Sequence, residues 1–251
     1  MKSPNIAIVG ATGLVGKTML QVLKERNFSY SSLRLFASPK SAGKVINFMD
    51  KDYEVEQLVE NSFDGIDIAL FSAGSAASLK YAPMAAKSGC VVIDNSSAWR
   101  RDKSVPLVVP EVNPEDIFEH NGIIANPNCN VIPLVVVANP IHKLYNIKRI
   151  VVSSYQSISG AGQKGIDKLT KEINNIPTGD KHRIFSNIMF HPAEPNDDYT
   201  NEEVKLHFEP KKIMHAAEMK ITSTCVRLPF FACHCEAVNI ETEISVNELL
   251  L

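Results

Sequence analysis

The stretch "NIAIVGATGLVGKTMLQVLKER" (residues 5–26) limits the fold more than any other part of the chain. A short apolar run ends at Gly10, and apolar residues recur at helical spacing from Leu14 onward. Between them Gly10, Gly13 and Gly16 allow a tight turn and a close backbone approach to a pyrophosphate. The N-terminus of the following helix would face that anion with free N–H groups and a favourable dipole. The spacing is G-x-x-G-x-x-G rather than G-x-G-x-x-G, so the surrounding pattern has to carry the reading.

That pattern is an alternation. "SLRLFAS", "IDIALFSA", "CVVIDNS" and "GIIANP" read as strands, and "SAASLKYAPMAAKSG" as a helix. Strands alternating with helices predict a Rossmann-like, doubly wound parallel sheet over residues 1–127. Beyond it, "IKRIVVSSYQSISG", "KITSTCVRLPFF" and "CEAVNIETEIS" read as strands. "GQKGIDKLTKEINN" reads as a helix, as does "NEEVKLHFEPKKIMH" with a local break at Pro210. Residues 177–200 are rich in Pro, Asn and Asp and read as loop. Residues 128–251 are therefore expected to form an α+β domain with a mainly antiparallel sheet.

Composition removes some function classes. A formal charge of −2 gives no electrostatic case for nucleic acid or an anionic membrane surface. No apolar run reaches the roughly 18 residues of a membrane span, and the N-terminus lacks the long apolar region of a signal peptide. The five cysteines are odd in number and show no disulfide framework, which suits reduced thiols and a cytoplasmic protein.

The second strand ends "LFASPKSAGK", without the acidic residue that usually bonds the ribose hydroxyls of NAD. Ser38, Lys40 and Ser41 suit a 2′-phosphate, which favours NADP. Lys40 and Lys44 read equally well as solvated loop charges.

Cys129, in "ANPNCN", stands between a polar turn and the start of an apolar helix. A helix N-terminus favours the thiolate, which is the nucleophile, and the turn would keep the sulfur in a cleft. A poised thiol beside a dinucleotide suggests hydride transfer at a thiol-bound acyl carbon. The alternative is an inert, buried cysteine. A proton shuttle is needed, and His234 follows Arg227 by seven residues across a strand connection that could aim both into one cleft. Composition does not choose between His234 and His191. "CHC" (residues 233–235) lacks the second ligand pair of a zinc site, so no metal is expected.

These motifs together resemble the bacterial aspartate-semialdehyde dehydrogenases. "IVGATGLVG", "ASPKSAGK", "DNSSAWRRDKSVPLVVPEVN", "NPNC", "SSYQSISGAGQKG", "YTNEEVK" and "TCVRLPFFACHCEAVNIE" carry the likeness, in order, from residue 5 to about 242. The resemblance implies NADPH-dependent reductive dephosphorylation of L-aspartyl-4-phosphate to the semialdehyde, in lysine, threonine, methionine and diaminopimelate biosynthesis. It implies Cys129 as the nucleophile, His234 as acid–base and Gln156 as the group that orients substrate. It further implies Arg227 on the substrate carboxylate, Glu202 on its ammonium, and Arg100 and Lys205 on phosphate. Gly10, Thr12, Gly13, Leu14 and Val15 would line the cofactor, with Ser38, Lys40, Ser41, Ser72, Ala73 and Gly74, and with Ser159 and Gly160 near the nicotinamide. A homodimer built on the second domain is implied, with no nucleic-acid or membrane partner. The nearest rival is N-acetyl-glutamyl-phosphate reductase, against which Glu202 speaks, since an acetylated amine wants no anion. A non-catalytic dinucleotide binder or an inactive truncated homologue is the alternative of another class.

Three departures from the family pattern set further expectations. Cys233 and Cys235 flank His234 where the family has Gly and Ser, so an added Cβ could shift the turn. "FSNIMFHPAEPNDDYT" follows the family only loosely. The chain stops at "SVNELLL", where the family continues to a last helix against the cofactor domain, so apolar surface and cofactor contacts would be lost.

Overall fold

The computed structural model describes residues 3–246, so most of the final "SVNELLL" run lies outside the described residues. The chain divides into two compact units. The first runs to Val108 and includes Pro114–Pro127, and the second comprises Val109–Asn113 and the chain from Asn128. Val109–Asn113, inside the expected first domain, thus clusters with the second.

The first unit contains β1 (Asn5–Val9), α1 (Leu14–Glu25), β2 (Ser32–Ala37), β3 (Val45–Phe48), β4 (Lys51–Gln57), β5 (Ile68–Phe71), α2 (Ser75–Lys87), β6 (Val91–Asp94) and β7 (Ile123–Ala125). Its sheet has the order β3-β4-β2-β1-β5-β6-β7. Only the β3–β4 edge pair is antiparallel. Leu20 of α1 packs with Ile6, Ile8, Leu35 and Val55. Phe63 packs between Phe36 and Phe71, with ring centroids 6.1 and 5.6 Å away. Adjacent Leu35 and Phe36 point to opposite sides of the sheet, so both faces are apolar, as a covered parallel sheet requires. The strand order reverses at β1, with β2 on one side and β5 on the other. Such a switch point, at the carboxyl ends of the strands, is where doubly wound sheets take ligands.

The β3–β4 hairpin is an element beyond those read from the sequence. Its two-residue turn is Met49–Asp50, with φ of 52° and 60°. Positive φ at both positions is a type I′ turn, which usually announces itself as Asn-Gly or Asp-Gly.

The second unit contains α3 (Val131–Tyr145), β8 (Ile147–Gln156), α4 (Gln163–Ile173), β9 (Met189–Phe190), α5 (Asn201–Ile213), β10 (Lys220–Arg227) and β11 (His234–Thr242). The sheet order is β11-β8-β10-β9. The β8–β11 and β9–β10 pairs are antiparallel as expected, while the central β8–β10 pair is parallel. α5 begins with a reciprocal cap between Thr200 and Glu203. The expected break at Pro210 does not occur: α5 continues to Ile213. Pro210 falls in the last turn, where one N–H is lost while buried Leu206, Glu209 and Ile213 hold the helix down. Ser154, Cys225 and Ser223 sit on the buried side of this sheet. On the other side Tyr155, Thr222, Thr224, Cys235, Ala237 and Asn239 form an exposed, uncharged patch, bordered at one end of the strands by Arg149, Lys220 and Glu241.

Candidate active site

Cys129 stands two residues ahead of α3 with an exposed side chain. Its neighbours explain the exposure. The Asn128 N–H donates to a Glu209 carboxylate oxygen at 2.6 Å, and Asn128 Oδ1 accepts the Asn130 N–H at 2.9 Å. The Ser154 hydroxyl donates to Asn130 Oδ1 at 2.9 Å. Both asparagines are buried and anchored, so the residue between them points outward, with the positive end of the α3 dipole behind it. Cys90 and Cys225 contrast with it: burial pushes each thiol up to about 12, which leaves both inert.

Strand register assembles the partners. Gln156, last residue of β8, pairs with Arg227, last of β10, and with His234, first of β11. One row across three strands thus holds an amide, a guanidinium and an imidazole. Cys129 Sγ lies 3.2 Å from His234 Nε2. His234 Nδ1 lies 3.0 Å from the Ser157 N–H donor and 2.9 Å from the Cys233 carbonyl. The ring therefore has a partner in either charge state. Neutral, Nδ1 accepts from Ser157 and the proton sits on Nε2, towards sulfur. Protonated, Nδ1–H donates to Cys233. Burial lowers the His234 pKa, with the Cys233 carbonyl opposing and Arg227 assisting.

The connection between β10 and β11 is not a hairpin, because β8 lies between them. Residues 228–233 cross the end of β8, pinned by the Ile158 N–H on Phe230 O at 2.9 Å and the Ser159 N–H on Phe231 O at 3.2 Å. The crossing ends at Cys233, whose φ is 70°.

Around this row lie the charged groups. Arg227 Nη1 donates to Ser157 O at 2.7 Å. Burial depresses the Arg227 pKa, while Glu202 and Cys129 act to raise it. Glu202 accepts from Asn128 Nδ2 at 2.9 Å and pairs with Lys205. Burial works to raise the Glu202 pKa, but Lys205 and these hydrogen bonds outweigh it and hold the carboxyl below its usual range. Gln156 Nε2 is buried with no hydrogen-bond partner among the described residues. Ser159 shares a hydroxyl contact with Ser157 at 2.8 Å. Gly160 lies against Arg227: a Cβ there would stand 3.2 Å from Nη1.

The other sequence-derived residues belong to the first unit. Gly10, at φ 92°, carries the chain so close to Ser72 that a Cβ would fall 2.3 Å from Ser72 O and 3.2 Å from Ala73 N. The turn and the Ser72–Gly74 loop are thus one cradle. Gly16 packs as tightly, with its virtual Cβ 2.3 Å from Gly10 O. Thr12, Gly13, Leu14 and Val15 lead into α1, whose N-cap Gly13 offers no side-chain cap. Ser38 stands at the N-cap position of the short 3-10 turn Pro39–Ser41 after β2, without a side-chain capping bond, and Lys40 is exposed. Arg100 is buried and donates to Asn126 O at 2.9 Å and Asn95 O at 3.0 Å.

Residues 5–120 match the family described as semialdehyde dehydrogenase, NAD binding domain, and residues 138–250 match its dimerisation domain. The aspartate-semialdehyde dehydrogenase of Aquifex aeolicus is 52% identical over 96% of this chain and 75% of its own length. The Bacillus subtilis enzyme of that name is 44% identical over 95% and 73%. The chain belongs to the aspartate-semialdehyde dehydrogenase family. A solved relative, aspartate semialdehyde dehydrogenase II of Vibrio cholerae, superposes with a TM-score of 0.92 at 44% identity, over 98% of this chain and 76% of that one.

Among the described residues, no group of three or more His, Cys, Asp or Glu side chains converges as metal ligands would, and no helix is long and apolar enough to cross a membrane. Sequence reasoning read the Asn126–Pro127–Asn128 turn as holding the sulfur in a cleft but passed over Asn130, Glu209 and Ser157, which complete the seat of Cys129 and His234. The signal for Asn130 was present: two amides bracket a cysteine at the head of an apolar helix.

Proposed function

We infer that this chain catalyses the NADPH-dependent conversion of L-aspartyl-4-phosphate to L-aspartate 4-semialdehyde, and the reverse, through an acyl-thioester on Cys129. The observation that carries the mechanism is the 3.2 Å approach of Cys129 Sγ to His234 Nε2. In the biosynthetic direction the thiolate attacks the acyl carbon, a C–S bond forms, and the C–O bond to phosphate breaks as phosphate leaves with its electron pair. When bound, the dinucleotide supplies the hydride that reduces the thioester carbon. His234 Nε2–H protonates the hemithioacetal oxyanion and then takes that proton back as the carbonyl re-forms; the C–S bond breaks with its electron pair on sulfur, and the aldehyde leaves a thiolate behind.

The chain's other residues orient this exchange. Arg227 presents a planar fork to the α-carboxylate. Glu202, kept ionised by Lys205, faces the α-ammonium. Gln156 offers the unpartnered Nε2 to the substrate beside the sulfur. Arg100 and Lys205 take the phosphate. A free ammonium needs the Glu202 anion, and N-acetylglutamyl phosphate does not, so the family's own substrate is favoured over the rival's.

The turn at Gly10 fits a pyrophosphate, because the missing Cβ lets it close against Ser72 and Ala73 while no side-chain cap competes for the first N–H groups of α1. Thr12, Gly13, Leu14 and Val15 would bring backbone N–H groups to it. Ser38, Lys40 and Ser41, with no carboxylate among them, favour the 2′-phosphate of NADP. Ser159 and Gly160 would lie by the nicotinamide. The exposed, uncharged patch on the second unit's sheet is read as the surface of a homodimer. A cytoplasmic setting, where thiols stay reduced, suits a nucleophile of this kind.

The test has two arms. Purified protein given aspartate semialdehyde, NADP and phosphate should produce NADPH, and N-acetylglutamate semialdehyde should not replace the substrate. Intact mass after incubation with semialdehyde and NADP, without phosphate, should show an acyl adduct on Cys129. Turnover with the acetylated aldehyde alone, or no adduct, would overturn the reading.

A further inference from the structure

His191 lies in the Pro-, Asn- and Asp-rich segment, directly after β9. That strand pairs with the end of β10, Phe190 opposite Val226 and Met189 opposite Arg227. The antiparallel register carries the chain at His191 on past Val226 towards Cys225, and the Arg227 charge still bears on the His191 ring. Its Nε2 is buried and has no hydrogen-bond partner among the described residues. Leaving such an atom unpaired costs free energy, so its position needs a reason.

The charged groups around it are Arg227, Glu202, Lys205 and Glu203. Burial first, then Arg227, lowers the His191 pKa to about 4, so the ring is neutral at physiological pH. A neutral imidazole adds no positive charge to a place that must receive an ammonium. Glu202 already shares its two oxygens with Lys205 and Asn128. An ammonium has three donors to satisfy, and Glu202 is a partly occupied acceptor.

We propose that His191 is a substrate-specifying residue whose Nε2 accepts a hydrogen bond from the substrate α-ammonium alongside Glu202. This rests on the reading of Glu202 given under Proposed function. The carboxylate end is served by Arg227, and the reacting carbon by Cys129, His234 and Gln156. His191 thus adds to selection for the free amino acid and takes no part in bond breaking.

The experiment compares wild type, His191→Leu and His191→Gln in the oxidative direction with NADP and phosphate. Three constants are measured: KM for aspartate semialdehyde, KM for phosphate, and the inhibition constant of the amine-free analogue succinate semialdehyde. Loss of a hydrogen bond to a charged group predicts about a tenfold to hundredfold rise in KM for aspartate semialdehyde in His191→Leu. Its kcat, phosphate KM and succinate semialdehyde inhibition should stay near wild type. His191→Gln, which keeps an acceptor, should recover most of the loss. The proposal is overturned if the leucine variant keeps the wild-type KM, if all three constants worsen together, or if glutamine behaves as leucine does. Absence of aspartate semialdehyde turnover in the wild type would instead bring down the functional reading itself.

Discussion

In the first unit the proposed functional groups are mostly main chain. Gly10, Gly16 and Gly74 shape a loop, and the side chains that matter near it are small. In the second unit they are long side chains held by main chain and side chains together: Arg227 on the Ser157 carbonyl, Glu202 on the Asn128 and Lys205 side chains, His234 between the Ser157 N–H and the Cys233 carbonyl. Buried polar satisfaction follows the same division. Among the described residues, the first unit leaves Asp94 Oδ1 unpaired, while the second leaves Gln156 Nε2, His191 Nε2 and Glu236 Oε1, among others. A pyrophosphate can be held by shape and peptide N–H groups, which any well-satisfied fold supplies at a helix start. A small zwitterion that must react needs side-chain atoms kept open for it, and each one weakens the fold that holds it.

The strongest test of this division is Cys129→Ala. Loss of a covalent nucleophile should lower kcat by about 10⁴-fold or more. Equilibrium binding of NADP, monitored by cofactor fluorescence, should remain at its wild-type value. A parallel loss of binding would show that the two roles are not separable. Gly10→Val is the converse. Its side chain must occupy the space of Ser72 O at a φ of 92°, which costs about 1–3 kcal/mol in strain alone. NADP affinity should fall about 100-fold or more, while alkylation of Cys129 by iodoacetamide keeps its rate.

Gly160→Ala separates the two more finely. Its φ is ordinary, so the backbone accepts alanine, but the new Cβ would press on Arg227 Nη1 at 3.2 Å. That nitrogen is already fixed on Ser157 O and cannot swing away freely. Misaiming a bidentate carboxylate clamp should raise KM for the semialdehyde about tenfold. A change in NADP affinity alone, with the substrate KM intact, would assign Gly160 to the cofactor side only.

Where the sequence was legible follows from how local each signal is. The glycine turn and the parallel strands could be read because each is a run of neighbours with one periodicity. The β3–β4 hairpin escaped because Met49–Asp50 adopts a turn whose usual residues are absent. Pro210 misled because a proline's effect depends on which turn of the helix it occupies. In the second unit, Gln156, Arg227 and His234 meet through a β8–β10–β11 register that no stretch of sequence encodes by itself. Their residue types suggested chemistry, but only strand order brings them into one row. His191 sits in a segment without periodicity, and its value lies in an atom left unpaired, which sequence does not display.

Glu236 offers a smaller test, read through stability. It lies on β11 two residues past His234, and burial raises its carboxyl from 4.5 to about 7. The folded state thus holds a proton that the unfolded state releases. Stability is highest below pH 4.5 on this account, falls as pH rises through about 7, and is level above that. After discounting for partial exposure, the cost at pH 8 is about 1–2 kcal/mol. Glu236→Gln should therefore raise Tm at pH 8 by about 2–6 °C and leave it unchanged at pH 4.5. An equal shift at both pH values would mean that packing, not charge, is responsible.

Cys233→Gly should have the smallest effect, and its sign depends on two opposed terms. A side chain at φ 70° costs about 1–2 kcal/mol, which glycine removes. Glycine also makes the unfolded chain more flexible, which costs about 0.4–1 kcal/mol. The net gain is about 0.5–1 kcal/mol, or a Tm higher by about 1–4 °C. The pinning of Phe230 and Phe231 by the Ile158 and Ser159 N–H groups does not involve the Cys233 side chain, and the carbonyl that meets His234 Nδ1 belongs to the backbone. kcat should accordingly stay within about twofold of wild type, since the backbone partners that orient the proposed general acid are retained. Cys233→Ala keeps the Cβ and the strain, and should match wild type in Tm. If glycine instead lowers kcat tenfold while alanine does not, rigidity at this crossing is part of how the second unit aims its imidazole. The contrast between a forgiving backbone cradle and an exacting side-chain site would then extend to the turn itself.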